Sequence, residues 1–108
     1  MYKPYEWVVL EIKTPKETYY KLLVDMRNIA EPWRVNSGIE KVTTSKGTNE
    51  FIIHGNTGSK YWVMNEYYGL SKVTDSVLEK IQQQAEAQSI QLKVLSLKEF
   101  AELSIKLS

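Results

Sequence analysis

The pattern of apolar and polar positions changes character along the chain. Residues 7–12, Trp-Val-Val-Leu-Glu-Ile, concentrate aromatic and β-branched side chains, and residues 7–10 form an unbroken apolar run of four. That composition and length predict a buried strand. It stops at Thr14-Pro15-Lys16-Glu17, where proline at the second place supplies a φ near −65° and favours a tight turn. Residues 19–26 follow with a period of two: Tyr20, Leu22, Val24 and Met26 alternate with positions that include Lys21 and Asp25. A hairpin with residues 7–12 is the economical reading, and a helix over 19–26 is its competitor. From residue 27 to 38 the pattern dissolves into a polar stretch long enough to be a loop with a task. Alternation returns over 39–44, a Ser45-Lys46-Gly47-Thr48 turn is expected next, and 50–54 resumes the strand. Gly55-Asn56-Thr57-Gly58-Ser59 interrupts the chain before a last alternating run over 60–66. Five strands joined by short turns predict an antiparallel meander or small curled sheet.

The remainder reads as helical. Ser76-x-x-Glu79 has capping-box spacing, with Thr74 as a rival cap. Val77, Leu78, Ile81 and Ala85 then share one face of a helix over about 75–88, predicted to cover a face of the sheet. Residues 90–95 alternate like a further short strand. Ser96-x-x-Glu99 opens a second helix carrying Phe100, Leu103 and Leu107. The expected fold is α+β: an antiparallel meander of about five strands packed against a helix from the C-terminal part, with a further short strand and helix. Residues 1–108 suffice for a single domain.

Composition removes several chemistries. The chain has no Cys and one His, which excludes disulfides, thiolate metal sites, iron–sulfur clusters and cysteine nucleophiles. Its carboxylates are scattered without metal-ligand spacing, so neither a metal nor a cofactor is expected. Fourteen basic and thirteen acidic side chains give a net charge of +1, spread evenly. That balance offers no general footprint for nucleic acid or an anionic membrane. No run resembles a signal peptide or membrane span, and a cytoplasmic location is expected.

Two polar groups remain as candidates. Trp33-Arg34-Val35-Asn36-Ser37-Gly38 places a flat ring, a guanidinium, an amide and a hydroxyl beside a flexible backbone position. Arginine pairs two oxygens at once, Asn and Ser donate to phosphate or base edges, and Trp stacks. The structural alternative is an ordinary loop whose Trp plugs the core while Asn-Ser-Gly turns the chain. In Gly55-Asn56-Thr57-Gly58-Ser59-Lys60-Tyr61, small residues let backbone N–H groups converge on an anion, with Lys60 adding charge. Its alternative is a hairpin turn. In a meander the two segments return to one rim, which makes a pocket mouth. The ligand-binding set is therefore Trp33, Arg34, Asn36, Ser37, Ser59, Lys60 and Tyr61, with Arg34 as principal contact because only two of the fourteen basic residues are Arg. No catalytic residue is assigned. A small ribonuclease or other hydrolase would have to use His54, the one side chain of near-neutral pKa.

Three Trp, seven Tyr and two Phe form 11% of the chain. Such an excess serves either a core of large rings or an interface, and with the open edges of a sheet it predicts a homo-oligomer. Trp33-Arg34-x-Asn36-Ser37-Gly38-Ile39, Gly55-x-x-Gly58-Ser59-x-Tyr61 and Tyr68-Gly69-Leu70 together resemble a pattern of small, mostly uncharacterised proteins of bacteriophages and mobile elements. The resemblance covers residues 33–70 and implies a small accessory protein made in a host cytoplasm, with no activity to carry over. Phage accessory proteins of this size often bind, sequestering a nucleotide signal of bacterial defence or blocking a host protein. Three functions follow as expectations. The first is a non-enzymatic binder of a small anionic ligand, in its sharpest form a nucleotide signal that it sequesters. The second is an inhibitor that binds a host or defence protein, and the third a metal-free hydrolase.

Overall fold

A computed structural model describes residues 1–44 and 49–108; the turn expected at 45–48 lies outside them. The described chain is α+β, as the hydrophobic pattern requires. Its strands are β1 (Glu6–Lys13), β2 (Thr18–Asp25), β3 (Trp33–Val35), β4 (Ile39–Thr44), β5 (Glu50–Gly55), β6 (Lys60–Met64) and β7 (Gln91–Val94). Its helices are α1 (Lys72–Ala87) and α2 (Leu97–Lys106). All named pairings are antiparallel, and they divide between two sheets, of order β3-β2-β1-β7 and β4-β5-β6.

The hairpin of β1 and β2 forms where Pro15 was read to turn the chain. Thr14 accepts from the N–H groups of Lys16 and Glu17 through its hydroxyl, and Lys13 pairs with Thr18. The helical alternative for residues 19–26 is thereby excluded. β1 is buried on both sides: Trp7, Val8, Val9 and Leu10 are each at most 1% exposed. On one side Trp7, Val9, Leu22 and Val24 meet Val42, Phe51, Ile53, Tyr61 and Val63 of the second sheet, closed by Leu95, Phe100 and Leu103. On the other side Val8, Leu10 and Leu23 meet Leu78 of α1, flanked by Val35, Val77, Leu92 and Val94. Phe100 presents its ring edge-on to Trp7 at 4.9 Å and to Phe51 at 5.1 Å between centroids. Much of the aromatic excess thus belongs to the interior.

Three elements differ from the sequence reading. Residues 33–35, expected within a loop, form the edge strand β3, pairing Trp33 with Asp25 and Val35 with Leu23. Three residues are too few for alternation to be visible. The last strand stops at Met64, and Asn65–Tyr67 make one turn of 3-10 helix instead. α1 begins at Lys72 rather than beyond Ser76. Ser71 is its cap, its hydroxyl accepting from the Thr74 N–H while the Thr74 hydroxyl is bonded to the Ser71 N–H. That reciprocal pair satisfies the first-turn donors earlier than the Ser76–Glu79 pair would. The second capping box, Ser96 with Glu99, stands where the sequence places it.

Tyr68 fastens the layers. β1 and β7 pair over Leu10–Lys13, and beyond that ladder the Val9 N–H donates to the Tyr68 hydroxyl at 3.1 Å. The same hydroxyl donates to the Leu95 carbonyl at 2.6 Å. Burial pushes the phenol up to about 12. Because the folded value lies above the unfolded one near 10, this group's contribution is intact below pH 10 and is lost as pH rises through 12. Urea titrations across that range are expected to show falling stability, and Tyr68→Phe should flatten part of the fall while lowering stability at neutral pH. Phe100→Ala is expected to cost about 3–5 kcal/mol through the cavity left between Trp7 and Phe51, measured as a shift of the urea midpoint.

Candidate functional site

At the end of β3 the chain leaves the first sheet and enters the second through Asn36-Ser37-Gly38. The Asn36 carboxamide makes this passage possible. Its Oδ1 accepts from the Leu22 N–H at 2.7 Å and its Nδ2 donates to the Gly38 carbonyl at 3.1 Å, with the residue 5% exposed. Leu22 would otherwise hold an unpaired buried donor where β3 ends. A Cβ at Gly38 would stand 2.6 Å from the Asn56 Nδ2, so any larger residue there has to displace the Asn56 carboxamide. The approach is held by the Asn56 N–H, which donates to the Gly38 carbonyl at 2.9 Å, and by the Ser37 hydroxyl, bonded to the Asn56 carboxamide and 3.2 Å from the Thr57 hydroxyl. The loop of residues 36–38 and the turn of 55–59 therefore meet on one rim.

Between them lies a depression of about 370 Å³ lined by Lys21, Arg34, Val35, Asn36, Ser37, Thr57, Ser59 and Tyr61. Arg34 is fixed from three directions. Its Nε donates to the Tyr61 hydroxyl at 2.8 Å, its guanidinium lies 4.5 Å from the centre of the Tyr2 ring, and its Nη1 reaches Glu31 at 3.3 Å. Tyr2 in turn stacks on Tyr61 at 5.1 Å, because the N-terminal segment runs beside β6, Tyr2 exchanging backbone hydrogen bonds with Lys60 and Trp62. The Tyr61 bond raises the already high pKa of Arg34 further, so the charge is permanent. Two of the five guanidinium N–H groups are engaged with described residues, which leaves donors for an incoming oxyanion. Among the described residues no carboxylate lines the depression. Glu31 approaches Arg34 from outside it, with both side chains substantially solvated.

Of the seven residues singled out in the sequence, Arg34, Asn36, Ser37, Ser59 and Tyr61 line this depression, and Trp33 and Lys60 do not. Consecutive strand residues face opposite ways. Trp33 stands on the α1 side of β3, in a separate groove, and Lys60 on the outer side of β6, paired in register with His54. Within the set the roles also divide, since Asn36 is spent on the backbone and Tyr61 is fully buried with its hydroxyl on Arg34. Lys21 and Thr57 were not anticipated. Thr57 sits inside a turn already noted, and the polar parity of 19–26 marks Lys21, but only the fold brings that strand beside the 36–38 loop.

His54 belongs to another face. It points outward from β5, its Nε2 3.1 Å from the Thr43 hydroxyl, whereas its neighbour Ile53 points inward beside Tyr61. Burial and then the nearby charges of Lys60 and Lys41 lower its pKa. A hydrolase built on His54 would therefore not share the Arg34 depression.

The Asn36 geometry carries a stability expectation. Asn36→Ala leaves the buried Leu22 N–H without its acceptor and should cost about 1–3 kcal/mol, read from urea unfolding. Asn36→Asp, which keeps the acceptor but loses the donor to Gly38 and adds buried charge, should be no better tolerated.

Comparison of the chain with protein-family models, with curated proteins and with solved structures finds no match.

Proposed function

We propose that the protein is a non-enzymatic binder of a small anionic ligand, with a phosphate or carboxylate held in the depression between Arg34 and Lys21. A nucleotide is the most specific version of this reading, and sequestration of such a signal is the role that the likeness to phage and mobile-element proteins suggests. The observation that supports it best is the convergence of two cationic side chains and the Ser37, Thr57 and Ser59 residues in one depression, on a chain whose net charge is only +1. Local concentration of positive charge beside hydroxyl groups matches what oxyanions require, with Thr57 and Ser59 as the donors because the Ser37 hydroxyl already donates to Asn56. The fixed guanidinium adds to this, because a donor already held by Tyr61 and Tyr2 loses little freedom on binding.

The test uses thermal unfolding with inorganic phosphate, pyrophosphate, nucleoside monophosphates and cyclic dinucleotides, each beside its phosphate-free nucleoside. A ligand at about 100 times its Kd should add about 2.7 kcal/mol. Arg34→Lys keeps the charge but loses the fork and the Tyr61 bond. It should weaken anion binding by about 1.5–3 kcal/mol, roughly 10- to 150-fold, against a smaller loss of unliganded stability. Glu31→Gln should tighten binding modestly by removing the carboxylate that competes for Nη1. An unchanged melting temperature with every anion, or binding indifferent to Arg34→Lys, would favour the protein-binding alternative.

A further inference from the structure

α1 does not close fully on the sheet. Its core-facing stripe runs through Leu78, Ile81 and Ala85, and Leu78 and Ala85 are buried while Ile81 between them is only half-buried, as is Val77. Beneath Ile81 lies a groove of about 570 Å³. Its floor is made by two cross-strand rows, Leu92–Ile12–Tyr19 and Leu10–Lys21, and Trp33 forms the wall at the β3 edge. Trp33 is 42% exposed there, so part of its ring is left open at the groove's edge. The volume falls within the range of small-molecule sites, about 300–1,000 Å³.

The groove's charge is what identifies an occupant. Lys21 holds a place on the core-facing side of β2, in register with Leu10, where the neighbouring core-facing position is the fully buried Leu23. Lys80 lines the groove from the helix. No carboxylate lines it among the described residues, and neither lysine takes part in an ion pair with another described residue. An aliphatic trough with two ammonium groups and no acid is complementary to a molecule with an apolar body and an anionic head. A peptide or second protein surface would also need partners for its backbone polar groups, and among the described lining residues the side chains offering them, besides the lysines, are Gln84, Gln88, Tyr19 and the indole N–H of Trp33.

We propose that this groove binds a free single-chain amphipathic anion, a medium-chain carboxylate in type, with the alkyl body between Ile81 and the Ile12–Leu92 floor and the head group at Lys21 and Lys80. The site is separate from the Arg34 depression, although Lys21 lines both. It takes its ligand chiefly by apolar burial, where the Arg34 site works by charge and hydrogen bonds.

Decanoate below its micellar concentration is the probe, with decyltrimethylammonium as the cationic counterpart, decanol as the neutral one and anionic phospholipid vesicles as the membrane form. Calorimetry is expected to show one decanoate per chain, with a shift in tryptophan emission that Trp33→Phe removes. Lys80→Glu should weaken decanoate at least tenfold and improve decyltrimethylammonium. Gln84→Trp, at an exposed helix position on the rim, should block both without touching the core, and its melting temperature shows that the fold is retained. Nucleotide binding at the Arg34 depression should be unchanged in Lys80→Glu and Gln84→Trp, which separates the two readings. The proposal is overturned by absence of decanoate binding, by equal binding of anion and cation, by decanoate binding that Gln84→Trp leaves intact, or by association with vesicles alone.

Discussion

Burial of β1 on both faces is the constraint from which the architecture follows. A strand reading Trp-Val-Val-Leu has no polar face to offer water, so each side must be covered by a different layer. Trp7 and Val9 take the second sheet together with α2, and Val8 and Leu10 take α1. Burying such side chains stabilises by about 1.5–3 kcal/mol each, more than any surface ion pair supplies, and it dictates three layers from a chain of 108 residues. The meander cannot remain one sheet under that demand, because the strands after Gly38 are needed as the lid over Trp7 and Val9. The crossing from one sheet to the other is consequently where buried backbone groups lose their ladder partners, and where Asn36 is spent.

Tyr68 answers the same problem at another point. Where β1 and β7 cease to pair, the Val9 N–H and the Leu95 carbonyl both face the interior, and one phenolic hydroxyl serves as acceptor for the first and donor to the second. Gly69 continues the contact, its N–H donating to the Trp7 carbonyl at 2.9 Å. Two of the short motifs visible in the sequence, Asn36-Ser37-Gly38 and Tyr68-Gly69-Leu70, thus have a structural explanation in whole or part. Residue types associated with ligands also repair broken hydrogen-bond ladders, and the fold uses them for repair first.

Much of the fold was legible because its signals are local. Period-two alternation marked β2, β4 and β6, the Pro15 turn marked the first hairpin, and Ser96–Glu99 marked the start of α2. The division into two sheets was not legible, since alternation tells which side chains share a face but not which faces meet. The helix start was misplaced because Ser71–Thr74 and Ser76–Glu79 offer the same local chemistry, and the choice between them depends on where α1 must reach Leu78 over the sheet. Within the site, parity held more information than residue type. Lys60 and Tyr61 lie on adjacent positions of a strand readable from its sequence, which already places them on opposite faces. Trp33 and Arg34 separate for the same reason, hidden only because β3 is too short to announce itself.

That short edge strand separates two chemically different faces. β3 presents Arg34 toward the second sheet and Trp33 with Val35 toward α1, so one three-residue element forms a wall of two cavities of different character. The polar depression owes its depth to the loop crossing between sheets. The apolar groove owes its opening to a helix that meets the sheet through Leu78 and leaves Ile81 partly uncovered. Neither feature is demanded by the burial of β1, which a tighter α1 and a longer β3 would serve at least as well. Lys21, set in a core-facing register beside Leu10, lays its apolar stem along the groove and reaches both cavities, so a single basic side chain joins the polar and the apolar side of the sheet's edge.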